Sequence, residues 1–194
     1  EKGTILHFIM QYLDLEGIKS CFTERLPEKR SEKAQRLPER AENLFDEISG
    51  QVDAMIARDL LTRQQADSAD FEKISRFFVS ELGERMLASQ EINREVPFNI
   101  EIPCGEIYRG ADGKLSKDDT VLLQGVIDCF FEEDGGIVLI DYKTDYVVPG
   151  GEESVKERYR LQISYYSRAL ELLAGKKVRE KYIYLFRNGE ILRL

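Results

Sequence analysis

The sequence predicts an α/β fold in one domain: a helical first half, then a small mixed sheet whose strands are divided by one long helix. Three observations carry this. From about residue 39 to residue 82 the apolar residues recur at helical spacing. After Met86 they fall into short runs rich in Val, Ile, Phe and Tyr, bounded by Gly, Asn and Asp, as strands are. One amphipathic stretch, about 154–174, separates those runs. A chain of 194 residues needs one substantial core rather than two.

Taken in order, Thr4 is placed to cap a first helix through Asp14, with Gly17 just beyond its end. Ile5, Ile9 and Tyr12 would form its apolar face, and His7, Gln11 and Asp14 another. Residues 19–40 are charged, with Pro27 and Pro38 as breakers, and read as a solvated connection with room for some helix. A helix over 39–58 would bury Leu44, Phe45, Ile48, Val52, Met55 and Ile56. Thr62-x-x-Gln65 has the form of a capping box, and the helical stretch after it carries Phe71, Ile74, Phe77, Phe78 and Leu82 at core spacing. Strands are expected near 94–102, 121–132, 136–142, 180–187 and 190–194. Gly135-Gly136 is the expected turn between the second and third strands, and Asn188-Gly189 between the last two. Gly110 to Asp119 reads as a polar loop.

A hydrophobic fraction of 42% beside 33% charged residues is that of a globular protein, and no apolar run approaches a membrane span. Cys21, Cys104 and Cys129 are too far apart in sequence for a zinc or disulfide framework, and Cys129, in an apolar strand, reads as a buried thiol. The net charge of −8 is unevenly spread: residues 156–181 hold eight Lys/Arg against three acids, a local +5 that leaves −13 on the remainder. Such a basic flank is compatible with a polyanionic ligand, and equally with a solvated helix.

The chemistry concentrates in two neighbouring strands. Gly125-Val126-Ile127-Asp128 carries one carboxylate, and Ile137–Thr144 carries Asp141 and Lys143, which share a side because they are two apart. A second acid brought beside Asp141 sets like charges next to an ammonium, an arrangement that a hard divalent cation relieves. For an isolated Asp-x-Lys, a strand that ends in solvated charges is the commoner outcome.

Asp128 followed by Asp141-Tyr142-Lys143 resembles the signature of the PD-(D/E)xK nucleases, in the version carried by the RecB-like family. Gly3-Thr4-Ile5-Leu6-His7 resembles that family's N-terminal histidine motif, and Gln162-x-x-x-Tyr166 its helical Gln/Tyr motif. Arg94-Glu95-Val96-Pro97-Phe98 also fits, and all the pieces occur in the family's order. The branch it resembles is the C-terminal nuclease domain of AddA-type helicase–nucleases.

The resemblance implies a restriction-endonuclease-like core within a single domain, 1–194. Residues 1–90 would be the mainly helical part with the histidine motif, and 91–194 the catalytic α/β core. It further implies that the sequence is a fragment of a longer chain, which an opening Glu1-Lys2-Gly3 without Met also suggests. His7, Asp128, Asp141 and the backbone carbonyl of Tyr142 would bind Mg²⁺, with Mn²⁺ able to substitute. Asp128, Asp141, Lys143, Gln162 and Tyr166 would be catalytic: Lys143 beside the attacking water and the scissile phosphate, Gln162 and Tyr166 positioning the DNA backbone or Lys143. Glu95 is a further candidate, joining through a water or through contact with one of the ligands. Lys156, Arg158 and Arg160 would contact phosphates without reading bases.

By the same resemblance the substrate is single-stranded DNA delivered by an attached helicase in double-strand break repair and recombination. An AddB-type subunit is the implied partner, and the bacterial cytoplasm, at the nucleoid, the implied location. Some RecB-like nucleases hold an iron–sulfur cluster on four cysteines; this sequence has three, so no cluster is expected. ATP would be used only outside this sequence, since Gly113-Lys114 is followed by Leu115 and completes no phosphate-binding loop. Two alternatives remain: a catalytically inactive module of the same fold that binds DNA or protein, against which the intact Asp128, Asp141 and Lys143 argue, and a standalone phage-type exonuclease.

Overall fold

The structure is a computed structural model that describes residues 2–22, 30–104 and 119–194. Among the described residues six helices come first: α1 (Lys2–Tyr12), α2 (Leu15–Ser20), α3 (Arg30–Ala57), α4 (Arg63–Asp67), α5 (Phe71–Phe78) and α6 (Glu81–Ala88). The sheet then forms from β1 (Ile92–Pro103), β2 (Thr120–Glu133), β3 (Gly136–Lys143), β4 (Val178–Leu185) and β5 (Glu190–Arg193), with α7 (Glu152–Ala174) between β3 and β4. Strand order follows chain order, and every neighbouring pair is antiparallel except β3 and β4. That parallel pair requires a crossover, which α7 provides. The expected α/β fold with a small mixed sheet is therefore observed.

Several local expectations are corrected. The buried face of α1 is Leu6, Ile9, Met10 and Leu13, an i, i+3, i+4, i+7 set, whereas Tyr12 is half exposed. Gly17 lies inside α2, whose N-cap is Asp14, rather than ending α1. The helix expected from residue 39 is observed over Arg30–Ala57, Pro38 included. On it Leu44, Ile48, Val52 and Met55 are buried, but Phe45 is more than a third exposed. The aromatic stretch after the capping box is two helices, because Ser80 accepts from Gly83 N and restarts the chain as an N-cap. The capping box itself is present, Thr62 and Gln65 each taking the other's backbone N–H. Between β2 and β3 the turn is Asp134-Gly135, both at positive φ (51° and 72°), the pattern of a two-residue hairpin. The loop expected at 110–119 lies outside the described residues except for Asp119.

The sheet separates two apolar layers. On one side Phe131, Val138, Ile140, Tyr142 and Tyr184 pack against α1, α3, α5 and α6; on the other, Leu139, Ile183 and Leu185 pack against Val155, Ile163 and Leu170 of α7. Cys129 belongs to the first layer and Ile127 to the second, although residues two apart in a flat strand share a face. The ladder turns over between them, as strongly twisted strands do. Its partner strand carries Glu95 at φ 50° at that point, a left-handed conformation that a non-glycine residue adopts only under constraint.

Candidate active site

β2 and β3 pair as far as Cys129 and Ile140, and the ladder stops there. Asp128 and Asp141 would be the next partners. Instead the side chain of Asp128 takes the bond that the ladder gives up: the Tyr142 N–H donates to its Oδ2 at 2.7 Å. The carbonyl of Tyr142, freed in the same way, lies 3.2 Å from Nε2 of His7 on α1. A place where two strands part thus leaves a backbone carbonyl outside the β2–β3 ladder and beside an imidazole.

α1 is held over this opening from both ends. Arg94, at the start of β1, donates to the carbonyls of Met10 and Leu13 at 2.7 and 2.8 Å, which satisfies the last turn of the helix. At the other end Gly3 lies so close to Thr144, just past β3, that an added Cβ would sit 3.3 Å from its Oγ1. His7 thereby reaches both acids across from it, its Nδ1 3.4 Å from Glu95 Oε1 and 3.5 Å from Asp128 Oδ1. The three groups could hold a metal ion, with ligand atoms all within 4.8 Å of one another. An open cleft of about 430 Å³, lined by Gly3, Thr4, His7, Phe8, Gln11 and Glu95, leads to them.

Asp141 completes the cluster from β3. It is fully buried, and neither carboxylate oxygen has a hydrogen-bond partner. Lys143 Nζ stands 2.5 Å from its Oδ2, an ionic contact. Burial, and then the charge of Asp128, push the Asp141 carboxyl up to about 6 against the pull of Lys143. Glu95 is raised for the same two reasons, with His7 opposing. In His7 burial works to lower the pKa, but the bond to Asp128 and the charges of Asp128 and Glu95 outweigh it and leave the ring above its ordinary value. Both its nitrogens face acceptors, a setting that favours the doubly protonated ring in the absence of a metal.

From the far side α7 presents its own line of residues. Gln162 Nε2 donates to the hydroxyl of Tyr166 at 2.8 Å, and the charges of Asp141, Asp128 and Glu95 bear on that hydroxyl. The Tyr166 ring meets Phe98 edge-on, and both rings cross β2 at Gly125, where a Cβ would collide with Phe98. Arg158, one turn earlier, binds Asp145 at 3.1 Å and remains mostly exposed. Lys156 and Arg160 lie elsewhere: with Lys181 and Arg193 they line a separate cleft of about 400 Å³, where they pair with Glu153 and Glu157. The three basic residues expected to act together therefore do not share a face. Residues 156 and 158 are about 200° apart around a helix, which the count of charges cannot register.

The structure places His7, Asp128, Asp141, Tyr142, Lys143, Gln162 and Tyr166 around one end of the β2–β3 ladder, and Glu95 against His7. Sequence reasoning missed Tyr159, whose ring lies under Lys143 Nζ at 4.7 Å. Its position three residues before Gln162 was the available signal.

Comparison with known proteins agrees with this geometry. A profile of the PD-(D/E)XK nuclease superfamily matches residues 1–192. The chain is 54% identical over 192 residues to an ATP-dependent helicase/nuclease subunit of Acetivibrio thermocellus, covering 99% of this chain and 13% of that protein. Proteins of the same description share 49% identity over 194 residues in Ruminiclostridium cellulolyticum (100% and 13% covered) and 45% over 192 residues in Thermoanaerobacter sp. strain X514 (99% and 14% covered). The chain accordingly spans about an eighth of the length of these relatives. Among the described residues no helix is long and apolar enough to cross a membrane. An acid cluster where two strands part, Asp-x-Lys on the second of them, and a match over 192 residues lead to one family: the chain belongs to the PD-(D/E)XK nuclease superfamily.

Proposed function

We propose that this chain is the metal-dependent deoxyribonuclease domain of a helicase–nuclease, hydrolysing the phosphodiester bonds of single-stranded DNA as an exonuclease in double-strand break repair and recombination. One observation carries the reading: His7, Glu95 and Asp128 bring possible ligand atoms within 4.8 Å of one another, His7 also lies against the Tyr142 carbonyl, and the buried Asp141 carboxyl lies near enough to feel the charge of Asp128. Three carboxylates set against one ammonium and one imidazole leave negative charge that a cation relieves, and one imidazole among hard oxygens suits Mg²⁺, with Mn²⁺ as its substitute. His7, Asp128, Asp141 and the Tyr142 carbonyl would hold the ion, with Glu95 beside them. When bound, it supplies a lowered pKa for its water and neutralises charge on the phosphate.

The chain's own residues supply the rest. Lys143 sets an ammonium beside Asp141, where it stabilises the negative charge that grows on the phosphate during attack. Gln162 and Tyr166, bonded to each other on the α7 side, orient the DNA backbone. Arg158, mostly exposed, offers a phosphate contact that reads no base. In this reading strand delivery, ATP hydrolysis and pairing with an AddB-type subunit in the bacterial cytoplasm belong to the full-length protein; the relatives' description as ATP-dependent helicase/nuclease subunits supports the first two.

The test is a divalent-metal titration of cleavage on single-stranded DNA by the full-length protein, beside its Asp141→Ala variant. Cleavage should require Mg²⁺ or Mn²⁺ and vanish in the variant. Equal cleavage in chelator, or by the variant, overturns the reading.

A further inference from the structure

We infer that Tyr159 is a positioning residue that holds Lys143 in place for the nuclease reaction. Lys143 is the last residue of β3, and its side chain crosses from the strand toward α7. Two groups meet its ammonium: Asp141, 2.5 Å away, and the face of the Tyr159 ring, with Nζ 4.7 Å from the centroid. That distance lies inside the roughly 6 Å within which a ring face attracts a cation. The ammonium is largely shielded, with 14% of the Lys143 side chain exposed, so the attraction is only weakly screened.

The ring is itself fixed. The Tyr159 hydroxyl donates to Asp145 Oδ2 at 2.8 Å, and Arg158 Nη1 donates to the other oxygen of the same carboxylate at 3.1 Å. Asp145 sits two residues past Lys143, so the segment leaving β3 and the first turns of α7 are tied together directly under the ammonium. The arrangement matters because the other contact is not dependable. Asp141 has a second task in the proposed site, and a cation there draws its charge away from Lys143. The ring face does not compete for that role, and it keeps the ammonium aimed at the opening between the strands. Tyr159 thus orients Lys143 without touching the DNA.

This inference rests on the nuclease reading of Lys143, and the experiment separates the two. In the full-length protein, Tyr159→Leu should lower kcat for single-stranded DNA cleavage about tenfold. KM for the DNA and the calorimetric Mn²⁺ affinity should stay unchanged. Tyr159→Phe, which keeps the ring, should restore most of the rate. Replacing that Phe by pentafluorophenylalanine keeps its shape but reverses the ring's charge distribution. It should return kcat to the Tyr159→Leu level, and it decides the matter even where the leucine variant fails to fold. The Lys143→Ala, Tyr159→Leu double variant should be no slower than Lys143→Ala alone. Equal rates for the Phe and pentafluoro variants, or a change confined to KM, overturn the role of the ring. Wild-type turnover by Lys143→Ala overturns the nuclease reading of Lys143 instead; an inactive Lys143→Ala beside a fully active Tyr159→Leu sinks only the present inference.

Discussion

β2 carries acids at both of its functional extremes, and they are treated in opposite ways. Near its end Glu133 meets Arg85, whose guanidinium also binds Glu180 at 2.7 Å and the Tyr182 hydroxyl at 3.3 Å, while Arg193 takes the other oxygen of Glu180 at 3.0 Å. Arg85 is held above its ordinary pKa, chiefly by Glu133, and Glu180 below its own, chiefly by Arg85. Every charge there has a partner. Five residues earlier, Asp128 shares its surroundings with Asp141 and Glu95, and the last two are raised by burial and by the charge of Asp128. The first cluster serves stability. The second keeps its charges under-compensated, which proteins tolerate where a ligand or a reaction makes up the difference.

If that contrast is right, the largest effect comes from removing Asp141. Asp141→Ala should reduce cleavage to background while circular dichroism still reports a folded domain. Its carboxyl is raised, so in the folded state its charge is unfavourable above about pH 6, and that penalty disappears as the pH falls below its unfolded value of 3.8. In chelator at pH 8, Asp141→Asn should therefore melt no lower than the wild type, with a gain in stability of up to roughly 3 kcal/mol. Clear destabilisation at pH 8 would place Asp141 with the structural acids.

Lys143→Ala comes next, with turnover falling on the order of 10²–10³-fold, as for a lost charge-stabilising donor. Calorimetric Mn²⁺ binding should survive, because Lys143 contributes no ligand atom. Loss of binding together with rate would blur the division of labour within the site.

Arg85→Ala should do the reverse. It strands Glu133 and Glu180 beside each other, at a cost of about 1–3 kcal/mol of stability. Cleavage per folded molecule should not change. A catalytic defect that persists at low temperature, where the variant is folded, would break the comparison.

The smallest effect concerns His7. Its raised pKa means that in the metal-free protein its charged form adds stability fully below about pH 6.5, and this is lost as the pH rises through the higher folded value. Chelated wild type should lose stability across that window. His7→Gln should not. Since the same proton must leave before the ring can bind a metal, Mn²⁺ affinity should weaken on the acid side already near neutral pH. Identical pH profiles for the two proteins would leave His7 a purely structural residue.

Much of the molecule is legible in the sequence for local reasons. The capping box at Thr62 and the strands around Asp128 and Asp141 depend on residues close in sequence, and so does the spacing of Gln162 and Tyr166. The departures share a cause of another kind. The expected apolar face of α1 includes Tyr12 and omits Met10, because a short apolar helix is consistent with more than one buried stripe until its neighbours are in place. Charge alone groups Lys156 and Arg160 with Arg158, and only the packing of α7 on the sheet shows that they face another cleft. Glu95 gives no sign in the sequence that a left-handed backbone turns it toward His7.

The sequence by itself determined the type and order of the elements, the two acids and the lysine, and the family they resemble, because these are carried by periodicity and by motifs a few residues long. Tertiary structure alone decided that β2 and β3 part at Asp128 and that His7 meets them from across 121 residues of chain. It also decided that Tyr159 lies under Lys143. Such contacts depend on how faces turn relative to one another, and periodicity sets a face only within its own element.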